Sequence, residues 1–72
     1  MTGDEWIAAF AAELGVDPPD AATVEVLLDL AGTAAHASER TAAPIACYLV
    51  GLAGAAPPDA GRLAAAVAPA GD

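Results

Sequence analysis

The sequence contains no lysine, asparagine or glutamine, and its only two cationic side chains are arginines. Ten aspartates and glutamates leave a formal net charge of −8 at pH 7. A chain with this charge is repelled by the phosphate backbone of nucleic acids and by anionic membrane surfaces. We therefore expect neither a nucleic acid nor a membrane among its partners.

Cysteine occurs once, as Cys47, so the chain cannot form an internal disulfide bond. The single histidine, His36, has no second ligand at the spacing of a zinc site, and we expect no metal and no cofactor. The acidic segment 1–5 lacks the positive charge of a signal peptide, and prolines and glycines interrupt the uncharged run 41–58. These features predict a cytoplasmic protein.

Bulky apolar side chains are also scarce. The apolar fraction is 57%, but 22 of the 72 residues are alanine and only 15 are leucine, valine, isoleucine or phenylalanine. A domain of about 60 residues buries only about 60% of the surface of its unfolded chain, which leaves it marginally stable. The sequence therefore predicts a thin core that is supplemented by a partner chain, by a homodimer or by very regular helix packing.

Capping residues, glycines and prolines divide the chain into four segments, and apolar residues recur three and four positions apart within them. The predicted helices span residues 3–14, 21–39, 42–55 and 59–68. We therefore expect one domain over residues 1–72 with an all-α fold, a small four-helix bundle. The third helix carries no charge, which predicts that it lies at the centre.

Single residues mark the ends and the inner faces of these helices. The segment Thr2–Glu5 has the spacing of a capping box, and Gly15 is expected to end the first helix. Thr41 can cap the third helix. On the fourth helix, Leu63 and Val67 are predicted to point inward.

The predicted second helix carries more apolar surface than one neighbour can cover. Val26 and Leu30 flank the stripe that is predicted to face the core, which includes Leu28. We expect two neighbours for this helix and an apolar patch including Val26, Leu30 or Val50 that is buried against another chain. A twofold dimer is the simplest arrangement, and it should strengthen as salt screens the net charge.

One polar stripe follows helical spacing on the second helix. Asp29, Thr33, His36 and Arg40 stand at positions i, i+4, i+7 and i+11, so we expect them to form one continuous stripe on the helix. Asp29 could orient His36, and Arg40 could bind a carboxylate or phosphate. Two interpretations stay open: a solvated face, or a surface that contacts a partner or ligand. Nothing marks an oxyanion hole, so we expect no catalytic residue and no enzyme.

A longer set of residues resembles a small actinobacterial domain family of unknown function. The resemblance spans roughly residues 4–56, and its most specific part is the spacing His36-x3-Arg40-x3-Pro44 before an apolar helix with Gly51. The other matching segments are Glu5-Trp6, Leu14-Gly15-Val16, Leu27-Leu28-Asp29-Leu30-Ala31 and Leu49-Val50-Gly51-Leu52-Ala53.

Members of that family occur alone or attached to molybdenum cofactor guanylyltransferases, the proteins that make molybdopterin-guanine dinucleotide. The resemblance implies a non-enzymatic accessory or protein-interaction domain linked to molybdenum cofactor biosynthesis. It implies a guanylyltransferase or a molybdoenzyme accessory protein as the partner, and it adds Pro44 to the residues of the stripe. The alternative is a small binding module that holds an anionic small molecule through Asp29, His36 and Arg40.

Overall fold

The computed structural model describes residues 1–67, and within this range the chain forms four helices and no strand. This confirms the small all-α helical bundle. The helices are α1 (Gly3–Leu14), α2 (Ala21–Ala37), α3 (Ala42–Ala53) and α4 (Pro57–Ala65).

Helix α2 is the centre of the fold. It packs against both α3 and α4, whereas α1 makes no comparable contact with any other helix of residues 1–67. The expectation that α3 lies at the centre is therefore wrong, and α3 has no buried residue. The absence of charge permits burial of a helix but does not decide which helix has two neighbours. At 17 residues α2 is the longest helix, and it offers apolar side chains on two flanks.

Both ends of α1 are fixed by local hydrogen bonds. The Glu5 backbone N–H donates to Thr2 Oγ1 over 3.1 Å, and the Thr2 backbone N–H donates to Glu5 Oε1 over 3.0 Å, which together form a capping box. Gly15 ends the helix with φ +78°, a left-handed conformation that glycine adopts without a steric penalty. The Val16 backbone N–H then donates to the Ala11 carbonyl over 3.0 Å.

Helix α2 begins as its sequence indicates but ends earlier than predicted. The Thr23 backbone N–H donates to the Asp20 carboxylate over 2.8 Å, which caps the N-terminus. The last helical residue is Ala37, two positions before the predicted end. Ser38 leaves the helical conformation with φ −144° and ψ −96°, and its hydroxyl donates to the Ala34 carbonyl over 2.8 Å. Thr33 makes the same bond to Asp29 inside α2, so the Ser38 hydroxyl accompanies the end of the helix and does not by itself cause it.

The N-termini of α3 and α4 also differ in detail from the sequence expectation. Thr41 stands at the N-cap of α3, but its side chain makes no capping hydrogen bond and instead donates to the Glu39 carboxylate over 3.4 Å. Helix α4 begins at Pro57, two residues before the predicted start. Proline suits the first helical position because it lacks a backbone N–H that would have no partner there.

The C-termini of these two helices are both short of their predicted positions. Helix α3 ends at Ala53 because Gly54 takes the left-handed conformation, φ +67°. Helix α4 ends at Ala65, and its predicted end at residue 68 lies outside the described residues.

The core is as thin as the composition predicts. Among the described residues only Ala11, Leu30 and Ala60 are buried apolar residues, at 5%, 3% and 6% exposure. Leu28, which was expected in the core, is 67% exposed. The buried side of α2 is therefore the one that carries Leu30, because α3 and α4 both pack against this helix.

Candidate functional site

The structure interrupts the predicted polar stripe at its C-terminal end. Asp29, Thr33 and His36 lie on α2, but the helix ends at Ala37, so Arg40 belongs to the connection between α2 and α3. The expectation of one continuous helical stripe from Asp29 to Arg40 is therefore wrong. Its physical reason is the early termination at Ser38.

The remaining polar side chains of the stripe are exposed and are not joined to one another. Asp29, His36 and Arg40 are exposed, and no hydrogen bond or ion pair links any two of them within residues 1–67. The Thr33 hydroxyl donates to the Asp29 backbone carbonyl over 3.1 Å, which is a local bond within the helix. Pro44 lies exposed in the first turn of α3.

A depression lies beside the α2–α3 connection, the segment that contains Arg40. Its lining includes Ser38, Glu39, Thr41 and Ile45, but not Arg40. The charged group at this surface is thus a carboxylate, which repels an anion. This arrangement does not favour anion binding there.

A second concave surface, an apolar one, lies between α3 and α4. This α3–α4 groove has a volume of about 530 Å³ and α2 at its base, and none of its lining residues is charged. Its walls and base include bulky side chains from all three helices, Leu30, Leu49, Val50 and Leu63, together with Thr33 on α2 and Val67 just after α4.

The groove is open because small side chains line much of it. Alanines from all three helices lie between its larger side chains, among them Ala34 on α2, Ala46 on α3 and Ala64 on α4. An alanine methyl group is too short to reach across the space between two helices. Leu63 and Val67, which were expected to point inward, are 66% and 68% exposed and border the groove. Alanines that recur on helix faces predicted to meet were the sequence signal for this groove.

Helix α1 presents a second apolar surface. The α1 stripe consists of Trp6, Ile7, Phe10 and Leu14, which are 56%, 40%, 49% and 60% exposed. The rings of Trp6 and Phe10 pack with their centroids 5.2 Å apart at an interplanar angle of 34°. No other helix of the described chain covers this stripe to the extent that α3 and α4 cover α2.

The outer face of α3 is a third apolar surface, formed by Ile45, Tyr48 and Leu52. These side chains are 60%, 66% and 70% exposed and follow helical spacing. Neither Tyr48 nor Leu52 lines the α3–α4 groove. The outer face is therefore separate from it.

The three residues predicted to lie in an interface occupy different environments. Val26 and Val50 are half-buried, and Val50 lines the α3–α4 groove. Leu30 is 3% exposed in the single chain. The structure therefore assigns Leu30 to the core of the chain and not to a contact with another chain, because α3 and α4 already cover its side of α2.

Two carboxylates have lowered pKa values, and both take part in the capping of a helix N-terminus. Hydrogen bonds from the backbone and side chain of Thr2 lower the pKa of Glu5 below its ordinary value of 4.5. Hydrogen bonds from the side chain and backbone of Thr23 lower the pKa of Asp20 below its ordinary value of 3.8. Each bond stabilises the ionised carboxylate. Both groups therefore serve the helix N-termini.

Within residues 1–67, no three histidine, cysteine, aspartate or glutamate side chains converge as metal ligands would. The thiol of Cys47 is free and half-buried. None of the four helices combines the length and hydropathy that crossing a bilayer requires.

Together these features define a small all-α domain with a thin core, an open apolar groove and an amphipathic helix that lacks a partner. A family model described as "Domain of unknown function (DUF6457)" matches residues 1–72. The chain belongs to this family. No curated protein and no solved structure matches it.

Proposed function

We propose that this chain is a non-enzymatic protein-interaction domain. One observation carries the proposal: residues 1–67 leave thirteen large hydrophobic side chains exposed while they bury three apolar residues. Exposed apolar side chains that are grouped into stripes and grooves are typical of surfaces that bind another protein. A cytoplasmic location is part of the same proposal.

The resemblance described above supplies a candidate partner. It implies a link to molybdenum cofactor biosynthesis, and we propose a molybdenum cofactor guanylyltransferase as the protein that the outer face of α3 contacts. Tyr48 gives that face a large, half-polar ring, which is a common anchor of protein interfaces, and Leu52 stands one helical turn from it.

Calorimetric titration of a purified molybdenum cofactor guanylyltransferase tests this proposal. The unmodified chain should bind, and Leu52→Asp should weaken binding at least about tenfold because it places a charge on the apolar face. Leu28→Asp is the matched control, since Leu28 is equally exposed but lies on α2. Absence of binding by the unmodified chain contradicts the molybdenum link. Equal effects of the two substitutions contradict the role of the α3 face.

Binding of an anionic small molecule stays a separate prediction of the sequence. If it occurs through Asp29, His36 and Arg40, inorganic phosphate should raise the melting temperature of the unmodified chain but not of Arg40→Ala. A melting temperature that phosphate leaves unchanged removes this alternative and leaves the protein-interaction proposal intact.

A further inference from the structure

We propose that two copies of this chain form a twofold dimer by exchanging α1. In this dimer the α1 stripe of each copy lies in the α3–α4 groove of the other. The inference rests on the proposed function, because it assigns one partner, a second copy, to two of the exposed apolar surfaces. The outer face of α3 stays available to a different protein.

The chain exposes more surface than a compact monomer of its mass. A compact monomer of 7.0 kDa has an accessible surface of roughly 4,000 Å². This chain has 5382 Å², an excess of about 1,300 Å² over that expectation. A stable interface buries about 800 Å² per partner. The surplus is therefore large enough to supply one interface between two copies.

The two surfaces match in length and chemistry. The α1 stripe runs from Trp6 to Leu14, which is about 12 Å along a helix at 1.5 Å per residue. The α3 wall of the groove runs from Ala46 to Ala53, or about 10 Å. The groove has no charged lining residue, and its alanines leave space for the bulky rings of Trp6 and Phe10.

The connection between α1 and α2 favours exchange over folding back. Residues 16–20 contain Pro18 and Pro19, which fix their own backbones and hold the preceding residue extended. A short, stiff connection holds α1 away from the helices that follow, and within residues 1–67 α1 makes few contacts with them. When the α1 stripe of each copy docks in the groove of the other, one twofold axis relates the two contacts and both apolar surfaces of both copies are covered.

Sedimentation velocity of three single variants of the full chain tests the exchange. Phe10→Asp disables the α1 stripe, and Leu63→Asp disables the groove. Leu28→Asp adds the same charge at a leucine that is 67% exposed, against 66% for Leu63, but that belongs to neither surface. We expect a dimer for the unmodified chain and for Leu28→Asp. Each of the other two should raise the dimer dissociation constant about a thousandfold, because both symmetric contacts are lost.

Mixing the two disabled variants gives the sharpest result. A dimer of Phe10→Asp with Leu63→Asp keeps one intact contact, made by the α1 stripe of the second variant and the groove of the first. The mixture should therefore dimerise where each variant alone stays monomeric. A mixture that stays monomeric, or a dimer that Phe10→Asp leaves intact, overturns the exchange. So does an unmodified chain that is monomeric, and guanylyltransferase binding would then still support the interaction domain.

Circular dichroism of the same samples separates loss of contact from loss of folding. Phe10 and Leu63 are both largely exposed in the single chain, so each variant should keep α2, α3 and α4 folded. If one variant unfolds entirely, the other still decides between a dimer and a monomer. If a small apolar molecule occupied the groove instead, the unmodified chain would be monomeric and Phe10→Asp would change nothing.

Discussion

Leu30 and Leu28 are two positions apart on α2 and have opposite environments, 3% and 67% exposed. Leu30→Ala removes a side chain from the core and should lower the free energy of unfolding by about 2–5 kcal/mol. For so small a domain that loss is a large part of the total. Leu28→Ala should change it by less than about 0.5 kcal/mol. Denaturant unfolding of both variants, followed by circular dichroism, measures the difference, and equal losses would contradict this description of α2.

The contrast between these two leucines also shows what the sequence could not provide. Both fit an apolar pattern on α2, and periodicity alone placed Leu28 in the core and Leu30 in an interface. Which side of a helix is covered depends on where the other helices pack on it, and the spacing of apolar residues within α2 does not show that. The continuous polar stripe was wrong for a different reason. Helix α2 ends at Ala37, before Arg40, and the spacing of polar residues does not show where a helix ends.

The Asp20 cap predicts a loss of stability in acid. Its pKa is lower in the folded chain than the ordinary value of 3.8, because Thr23 donates hydrogen bonds to the ionised form. The contribution of this carboxylate to the stability of the fold is therefore complete above about pH 4. It is lost as the pH falls through the lowered pKa of the folded chain. Asp20→Ser keeps an oxygen acceptor at the cap but cannot titrate in this range. The melting temperature of Asp20→Ser should fall less between pH 5 and pH 2 than that of the unmodified chain. Thermal unfolding at both pH values measures the two falls. Equal falls would contradict the role of Asp20.

At the scale of a helix, two glycines near the end of α3 should respond oppositely to alanine. Gly54 ends the helix at φ +67°, where a side chain is strained, so Gly54→Ala should cost about 1 kcal/mol. Gly51 lies inside α3, and a methyl group there would meet nothing within 4 Å. Gly51→Ala should therefore stabilise the chain by about 0.5–1 kcal/mol. Chemical denaturation measures both, and a loss of stability in Gly51→Ala would show that this face of α3 is covered.

Helix α1 should depend on the concentration of the protein. Twelve residues are marginal as an isolated helix in water, and α1 has local caps but little packing on the rest of the described chain. If a second copy covers the α1 stripe, helicity at 222 nm should rise with protein concentration over the range in which the dimer forms. Phe10→Asp should remove that rise, and Leu28→Asp should retain it. Helicity that is independent of concentration in the unmodified chain would contradict the proposed exchange.

Helix ends were predictable where one local interaction determines them. The spacing of Thr2 and Glu5 indicated the capping box, and Gly15 indicated the end of α1. The packing of the helices was predictable in part. The two apolar flanks of α2 predicted two neighbours for that helix, which the structure confirms, whereas the lack of charge wrongly suggested α3 as the centre.

For the whole molecule, the composition indicated how little a single chain can bury. Few bulky side chains predict a thin core, and apolar residues three and four positions apart predict an all-α fold; the structure has both. The sequence did not predict where the uncovered surface lies, because that depends on how the helices are arranged in space. The groove depends on the separation of α3 and α4 over α2, and the isolation of α1 depends on the direction of residues 16–20.

Net charge makes the assembly sensitive to salt. Two copies at −8 each repel one another, and the repulsion between exposed charges is screened over about 8 Å at physiological ionic strength. The apolar contact itself is not weakened by salt. Dimerisation should therefore strengthen when sodium chloride is raised from about 20 mM to about 500 mM, over which the screening length falls several-fold. A dimer that dissociates as salt increases would indicate that ion pairs hold it together.

The proposed function and the proposed dimer share one requirement: a single copy of this chain leaves apolar surface that another protein chain covers. Sedimentation equilibrium of the unmodified chain in moderate salt, over a concentration series from low micromolar to several hundred micromolar, tests it most directly. We expect the mass to rise from 7.0 kDa toward about 14 kDa, twice the mass of one chain. A constant mass of 7.0 kDa, together with a high melting temperature, would contradict the claim and show that the four helices are sufficient alone.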